Sequence, residues 1–360
     1  MRAGALVLCV LALASCSSPP PAPPPQPRTL TWREVTLPVA DATVQDVTFC
    51  DDHWLAVGGL PTGPAAWRST DGTTWTGVRL APVSFYGEQS TIFTVACHGV
   101  DAVAVGAASG GAHGNPRTST WRSRSDGSWL EHEPAFTQFG GQDSVGVGTA
   151  AASLGSPDAW AIVGNWLGPD GSPGPALWRS GDGADFERAL VAPGSSARGT
   201  DVAPLAGGGW LVTGEAYGAT LTGASWTSRD GTAWTPVPVG GPLALVTPYG
   251  DGTLAVGAAG AWWYDGTSWQ RRGGFGEANG WRFLGLAGAR GGDLGVMTAA
   301  AGSSCRLWTT RDGGATWQEA AMPLNLPVTA ETVASVAVDG DALLLATDDG
   351  TRAHLWLAAA

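Results

Sequence analysis

The sequence is poor in basic residues and in motifs that carry chemistry. Lys and Arg together number 19 of 360 residues, against 31 Asp and Glu, so the formal net charge is −12. An acidic chain is repelled by the phosphates of nucleic acids and by anionic lipid surfaces. The sequence also lacks a Gly-rich phosphate loop, an HExxH zinc motif and a nucleophile elbow. We therefore expect no nucleic-acid partner and no cofactor, and no motif supports catalysis.

Long hydrophobic runs are also absent, apart from one near the N-terminus. Residues 3–14 form an apolar run of about a dozen residues, shorter than the ~20 that a membrane-spanning helix needs. The run ends in Leu-Ala-Ser-Cys, which resembles the lipobox of bacterial lipoproteins. The resemblance implies cleavage before Cys16 and acylation of this cysteine, for example by palmitate. A plain secretory signal is the alternative.

Residues 1–15 are accordingly predicted to be a lipoprotein signal peptide, and residues 16–28 a lipidated cysteine with a proline-rich spacer. Proline-rich segments are stiff and extended and cannot pack a core. We expect an exported protein whose lipid is its only membrane anchor. It would lie on the outer face of the bacterial cell membrane, or on the outer membrane of a Gram-negative cell.

What the sequence does contain is a repeat. The stretch WRSTDGTTW at 67–75 returns in related form at 121–129, 178–186, 226–234, 262–269 and 308–317. Asp followed by Gly favours a tight turn, since the carboxylate can accept backbone N–H groups and glycine tolerates a positive φ. A Trp on either side of the turn indicates two strands folded back on each other. Six copies predict a repeat protein rich in short strands.

Each repeat is interpreted as four strands, with the Asp-Gly turn between the third and the fourth. After the sixth repeat, only three strands follow, at 332–338, 342–348 and 353–358, and residues 30–38 match the missing fourth strand. The predicted fold is therefore an all-β, seven-bladed β-propeller of four-stranded blades. The N-terminal strand closes it by pairing into the last blade, and residues 29–360 form a single domain.

The Ser/Thr-x-Asp-Gly-x-x-Trp turn resembles the Asp-box (BNR) repeat of sialidases, sortilin-type receptors and photosystem assembly factors. The resemblance covers essentially the whole mature chain and is specific for fold rather than for function. It implies that the aspartates form structural turns at the periphery, away from the ligand face. These residues are Asp71, Asp126, Asp182, Asp230, Asp265 and Asp312.

Two of the five cysteines occupy matching places in successive repeats. Cys50 and Cys97 each precede an Ala-Val-Gly strand, and an exported protein can form disulfides. A Cys50–Cys97 disulfide and two buried thiols are about equally favoured on this evidence. Cys305 has no evident partner, and no CxxC or His-rich cluster suggests a structural zinc site.

The loops that join second to third strands, and those that join successive blades, should share one face of the propeller. Binding residues are frequently carried by loops on a rigid scaffold. The candidates for ligand binding are His113, Arg117, Trp166, Glu215, Tyr217, Tyr86 and Arg271. The alternative for each of them is that it is an ordinary loop residue with no role in binding.

A second set of candidates consists of acids at the mouths of the first strands: Asp46, Asp143, Asp201 and Glu331. First strands line the central channel of a propeller, so these acids could form a ring that binds a cation or a basic residue. The favoured alternative is that they cap strand starts and face water.

The main functional hypothesis is a monomeric, non-catalytic binding or scaffold module for an envelope protein or a cell-surface glycan. A sialidase-like exo-glycosidase is the alternative, and a purely structural envelope component is a third possibility. None of the loop arginines lies in the Arg-Ile-Pro setting of sialidases, and seven blades depart from the six of that family. Three arginines converging on one pocket would favour the hydrolase, whereas scattered arginines would favour the binding module.

Overall fold

The computed structural model describes residues 27–110, 116–133, 135–152, 160–275, 280–289 and 291–360. These residues form seven sheets in which consecutive strands of the chain pair antiparallel, except that the N-terminal strand joins the last sheet and one short strand adds in parallel to the second. The first strands of consecutive sheets contact each other around a central axis, which makes the sheets the blades of a ring. The predicted seven-bladed β-propeller is thus confirmed. The predicted signal peptide and Cys16 lie outside the described residues.

The strands of each blade run from the axis outward. Blade 1 has Thr43–Cys50, His53–Leu60, Gly63–Ser69 and Thr76–Gly77; blade 2 has Thr91–His98, Asp101–Ala108, Arg117–Ser123 and Trp129–His132. Blade 3 has Ser144–Ala152, Trp160–Leu167, Pro173–Ser180 and Glu187–Leu190; blade 4 has Ala197–Pro204, Trp210–Ala216, Thr222–Ser228 and Thr235–Pro236. Blade 5 has Leu245–Tyr249, Gly252–Gly257, Gly260–Tyr264 and Trp269–Arg271; blade 6 has Arg282–Gly288, Gly295–Ala301, Ser304–Thr310 and Gln318–Ala320. Blade 7 has Val333–Asp339, Ala342–Asp348 and Ala353–Ala359, and its outer strand is Arg33–Val35.

The N-terminal strand closes the ring as the sequence predicts. Arg33–Val35 pairs antiparallel with the third strand of blade 7, with Glu34 opposite Trp356. The segment before it also contacts blade 6, because the Trp32 indole N–H donates to the Ala321 carbonyl at 2.9 Å. The first residues of the domain therefore tie the last two blades together.

The core lies between the blades rather than within one central cluster. The second strand of blade 1, His53–Leu60, is buried at every position except its last. Because both faces of a second strand pack against neighbouring blades, these strands are continuously apolar instead of alternating. The third-strand indoles fill the same layers, and Trp67, Trp121 and Trp178 are each at most 2% exposed. The tryptophan excess is thus largely a packing feature.

In the first repeat, residues 74–80 follow the Asp-Gly turn and are interpreted from the sequence as the fourth strand. In the structure this strand is divided. Thr76–Gly77 pairs within blade 1, whereas Leu80–Ala81 pairs in parallel with the outer strand of blade 2. The chain crosses between the blades because Val78 and Leu80 pack against the core that blades 1 and 2 share. The two blades are thereby joined at their outer edge.

Two short helices occupy blade connections that the sequence predicts as loops. Phe85–Glu88 lies between blades 1 and 2, and Phe136–Phe139 lies between blades 2 and 3. The Ser84 side chain caps the first helix by accepting the Gly87 N–H. In the part of the chain that the structure describes, neither helix is long enough to cross a bilayer.

Candidate functional site

The propeller has two unlike faces. The turns between first and second strands and the Asp-box turns share one face, and the remaining connections lie on the opposite face, which we call the loop face. In the first turn, Asp71 Oδ1 accepts the N–H groups of Thr74 at 2.7 Å and Thr73 at 2.8 Å. These two hydrogen bonds hold the pKa of Asp71 well below its usual value, and the bond from Thr74 has the larger effect. Gly72 follows at φ 69°, a conformation that suits glycine.

The other Asp-box carboxylates also bond their own turns. Asp182, Asp230 and Asp265 each accept two backbone N–H groups within the next three residues. Asp312 accepts the Thr316 N–H, and Asp126 accepts the Ser128 N–H. Asp126 also forms an ion pair with Arg79, which follows the outer strand of blade 1. The structure thus places all six in local turns, as the Asp-box resemblance implies.

The central channel is a cavity of about 480 Å³ lined by the first strands. Asp46 lies on one of them, beside a β-bulge, and its Oδ2 accepts the Val95 N–H of blade 2 at 3.0 Å. Its Oδ1 accepts the Ser335 hydroxyl of blade 7 at 2.8 Å. One carboxylate thereby joins three consecutive blades.

Asp201 repeats this arrangement on blade 4. Its Oδ2 accepts the Val246 N–H of blade 5 at 2.8 Å, and its Oδ1 accepts the Thr149 hydroxyl of blade 3. Burial raises the pKa of Asp46 and of Asp201 to about 6 in each case. Protein donors already occupy each carboxylate. Asp46 and Asp201 therefore each link their own blade to the two blades beside it.

The other two predicted ring acids lie elsewhere. Asp143 precedes the first strand of blade 3 and is exposed, and Glu331 is exposed beside Gly350. Neither lines the channel. Both acids come before their strands begin and face water, as the favoured alternative expects. That alternative is wrong for Asp46 and Asp201, which line the channel, so the possible ring of four has only these two members. Within the described ranges, no group of three or more His, Cys, Asp or Glu residues could hold a metal ion.

Cys50 and Cys97 are joined by a disulfide, with their Cα atoms 5.4 Å apart. They lie at the ends of the first strands of blades 1 and 2, toward the Asp-box face. Cys305 is buried as a free thiol, and burial raises its pKa to about 11. Such a thiol is protonated at neutral pH and is a weak nucleophile.

On the loop face, a cavity of about 170 Å³ lies at blade 2 and is lined by that blade and by the connections before and after it; we call it the Arg117 pocket. Its lining is Ser84, Tyr86, Pro116, Arg117, Thr118, Ser119, Glu131, Glu133, Ala135, Phe136, Phe139 and Gly140. The Arg117 guanidinium stacks on Phe136 with Cζ 4.0 Å from the ring centroid, and on Tyr86 at 5.2 Å. The structure thus brings together two predicted residues, Tyr86 and Arg117, that are 31 positions apart in the sequence.

One wall of the pocket is fixed by Glu131, which is 2% exposed. Its carboxylate accepts the N–H groups of Val83 at 2.7 Å and Ser84 at 2.9 Å, and the Ser84 hydroxyl at 2.7 Å. Ser84 in turn caps the helix that carries Tyr86. A buried carboxylate therefore sets the position of the Tyr86 ring.

The other wall is fixed by blade 3. The Trp178 indole N–H donates to the Gln138 carbonyl at 2.7 Å, and Arg188 donates to the same carbonyl at 2.8 Å. Phe139 is 4% exposed and packs on Trp178. These contacts hold the Phe136–Phe139 helix, so both aromatic walls are held by buried groups.

Exposed apolar side chains adjoin the pocket and form part of its rim. Val83 is 60% exposed, Phe85 is 66% exposed and Phe136 is 37% exposed. Aromatic side chains and arginine are the types enriched at the centres of protein interfaces. The Arg117 pocket and this rim therefore have the composition of a binding surface.

The remaining predicted residues do not join this site. Trp166 was expected on a loop, but it is 9% exposed within the second strand of blade 3 and is covered by Arg188. Glu215 pairs with Arg198 at 2.7 Å and accepts the Tyr217 hydroxyl at 3.4 Å on blade 4. Arg271 donates to the Ala259 carbonyl on blade 5, and His113 lies outside the described residues.

Sequence reasoning missed Ser119, Glu131 and Phe136. Ser119 belongs to a strand that begins at Arg117, earlier than its sequence suggests. Glu131 carried a usable signal, because it is an acid within the outer strand Trp129–His132, where a buried charge requires bonding partners. Phe136 had none, since the sequence does not show that the connection after blade 2 folds back onto Arg117.

No protein-family model matches the sequence, and no curated protein matches it. Among solved structures, the chain is similar to YCF48 from Cyanidioschyzon merolae, with 16% identity over 91% of this chain and 98% of that one, at a TM-score of 0.52. It is also similar to the Swd1 (Cps50) β-propeller domain of Myceliophteria thermophila, with 11% identity over 90% and 99%, at 0.57. Trypanosoma rangeli sialidase bound to 2,3-difluorosialic acid gives 14% identity and 0.49, over 89% of this chain and 54% of that one. At these identities the likeness shows the propeller fold alone.

Proposed function

We propose that the protein is an exported, lipid-anchored β-propeller that acts as a non-catalytic binding or scaffold module for a protein or glycan of the bacterial envelope. The observation that carries the proposal is the Arg117 pocket with its exposed apolar rim. A prepared cation between two aromatic rings, beside exposed Val83 and Phe85, suits recognition of a partner.

The arrangement of the arginines supports binding over hydrolysis. A sialidase-like site needs three arginines that converge on one carboxylate. Here Arg117 stacks on aromatic rings of the two helices that flank blade 2, Arg198 pairs with Glu215 on blade 4, and Arg271 bonds the blade 5 backbone. Among the residues that the structure describes, Arg117 is the sole arginine that lines its pocket. The scattered pattern favours the binding module.

The anchor is supported by the Leu-Ala-Ser-Cys sequence that ends at Cys16. Replacing the cysteine by serine removes the only thiol that lipidation could use at this position. We expect Cys16→Ser to move the protein from the membrane fraction to the soluble fraction and to abolish incorporation of labelled palmitate. A variant that stays in the membrane fraction would contradict the anchor.

Capture of the partner requires a photo-reactive residue, because the sequence contains no lysine for amine-reactive cross-linkers. Benzoylphenylalanine in place of Phe85, at the rim, tests the loop face. The matched control is the same residue in place of Val100, which is 65% exposed on the Asp-box face. We expect one specific partner from irradiated cells with the label at 85 and none with the label at 100. Equal recovery from both positions, or from neither, would overturn the proposal.

A further inference from the structure

We propose that the Arg117 pocket binds a single carboxylate group carried by an apolar substituent. The inference rests on the binding function proposed above and deepens it by naming the chemistry of the ligand. The donors in the pocket, the acids around them, and the size and lining of the cavity support it.

Two residues that line this cavity carry buried donors without a protein acceptor among the described residues. In the described part of the chain, Arg117 Nε and Ser119 Oγ are both buried and make no hydrogen bond. Ser119 is 5% exposed, and both residues line the same cavity. Buried polar groups in folded proteins are almost always paired, and those that are not call for an explanation such as a ligand. A group that accepts two hydrogen bonds would satisfy both donors.

The guanidinium is prepared for a carboxylate. Arg79, Arg198 and Arg311 each have a carboxylate oxygen within 2.8 Å. Arg117 has no carboxylate within 4.0 Å among the described residues, and its guanidinium lies over the rings of Phe136 and Tyr86. The planar fork of arginine matches the two oxygens of a carboxylate. Held in this way, it loses little conformational freedom when such a group binds.

The acids around the pocket limit the charge of the ligand to one. The Glu131 carboxylate is occupied by three donors from residues 83 and 84. Glu133 is exposed and lines the cavity, so it repels a second negative charge. The net charge of −12 repels polyanions at longer range. A monocarboxylate therefore fits the pocket better than an acidic polymer does.

The volume and walls define the rest of the ligand. The cavity, at about 170 Å³, is smaller than the roughly 300–1,000 Å³ of typical small-molecule sites, so it accommodates one end group. Phe136 and Phe139 supply aromatic surface beside the two donors. An aromatic or aliphatic group attached to the carboxylate would cover this surface. Such a ligand is either a free small acid or the terminal residue of a chain.

The test is titration calorimetry of the purified domain with phenylacetate and with N-acetylphenylalanine, which represent the free acid and the chain terminus. The neutral amide of each is the matched probe, and glucuronate is the polar acid. We expect the two apolar acids to bind, with the tighter one identifying the source. The amides and glucuronate should bind at least about tenfold more weakly, because they lack the charge or the apolar group. In NMR spectra, the Arg117 Nε–H signal should shift on binding.

Variants test the assigned roles. Arg117→Gln should weaken binding at least about tenfold, and Arg117→Lys should restore only part of it, because lysine lacks the fork. Glu133→Gln leaves the stacked arginine in place and should tighten binding. Arg271→Gln, on blade 5, is the control and should bind as the parent does. Binding of the amides equal to that of the acids, or unchanged binding by Arg117→Gln, would overturn the inference.

The two proposals can fail separately. If the label at position 85 captures a partner and neither acid binds, the binding module stands and the carboxylate assignment is wrong. If the acids bind and no partner is captured, the carboxylate assignment stands and the envelope-partner role is wrong.

Discussion

The aspartates at the axis and those in the Asp-box turns make the same kind of bond with opposite consequences. Asp46 and Asp71 both accept backbone N–H groups and a hydroxyl. Burial raises the pKa of Asp46 to about 6, whereas hydrogen bonds in an exposed turn lower the pKa of Asp71. The difference shows that solvent, rather than the number of bonds, decides the sign.

The two sets also differ in the distance over which they act. Asp71 bonds residues within three positions of itself, whereas Asp46 bonds Val95, 49 positions away, and Ser335, 289 positions away. The repeated aspartates shape single turns. Asp46 and Asp201, at matching places in the first strands of blades 1 and 4, hold neighbouring blades together. The Asp-box turns therefore act locally, and these two first-strand aspartates make long-range contacts.

The largest expected effect comes from removing the outer strand of the last blade. Deletion of residues 30–38 removes the pairing with residues 355–357 and the buried Val35. We expect loss of the cooperative melting transition or a fall in Tm of more than about 10 °C, measured by calorimetry. A truncated domain that melts like the parent would mean that the assignment of residues 30–38 as the strand that closes the ring is wrong.

The axial carboxylates should come next. Asp46→Ala and Asp201→Ala each leave buried N–H groups without an acceptor, and burying unpaired polar groups costs about 1–3 kcal/mol apiece. We expect each variant to unfold at a lower denaturant concentration than the parent, with the double variant lower still. A loss no greater than that of an Asp-box variant would remove the distinction between the two regions.

The opposite pKa shifts predict opposite pH dependence. For Asp46 and Asp201, whose pKa rises to about 6 on folding, the contribution to stability is full below about pH 4 and is lost as pH rises through 6. For the Asp-box residues, the contribution is present at higher pH and is lost as pH falls below about 4. The free energy of unfolding should therefore decline between pH 4 and 7, by up to about 3 kcal/mol per buried acid. In Asp46→Asn and Asp201→Asn this decline should flatten.

The smallest effect is expected at the Asp-box face. Asp71→Ala removes bonds to Thr73 and Thr74 in a turn that water can reach. We expect Tm to fall by about 1–2 °C, because solvent replaces the lost acceptor. A drop as large as that of Asp46→Ala would show that the turn carries more of the fold than its local bonding implies.

The fold was predictable because the same strand-turn-strand pattern recurs along the sequence. Each copy of the Asp-Gly turn sets two strands, and the incomplete seventh repeat identifies residues 30–38 as the closing strand. The divided outer strand of blade 1 was not predictable, because Leu80 pairs with blade 2 as a result of its packing against the core that blades 1 and 2 share.

The Arg117 pocket was predictable only in part. Arg117 and Tyr86 stood out as polar and aromatic residues in loops, but their contact depends on Glu131 holding one helix and Trp178 holding the other. Trp166 illustrates the converse error, because a strand that extends to Leu167 carries its ring into the core. A sequence pattern does not show which loop residues face each other across blades.

The closing contact also bears on how the chain reaches its native state. Glu34 meets Trp356 across 322 positions, so the pairing that completes the ring has the longest loop to close. Contacts at such separation are entropically costly and form slowly. Hairpins within each blade can form first, whereas circularisation has to await the final strands. The ring closure is therefore the step that should govern the folding rate, and until it occurs the edges of blades 6 and 7 are open to unwanted strand pairing.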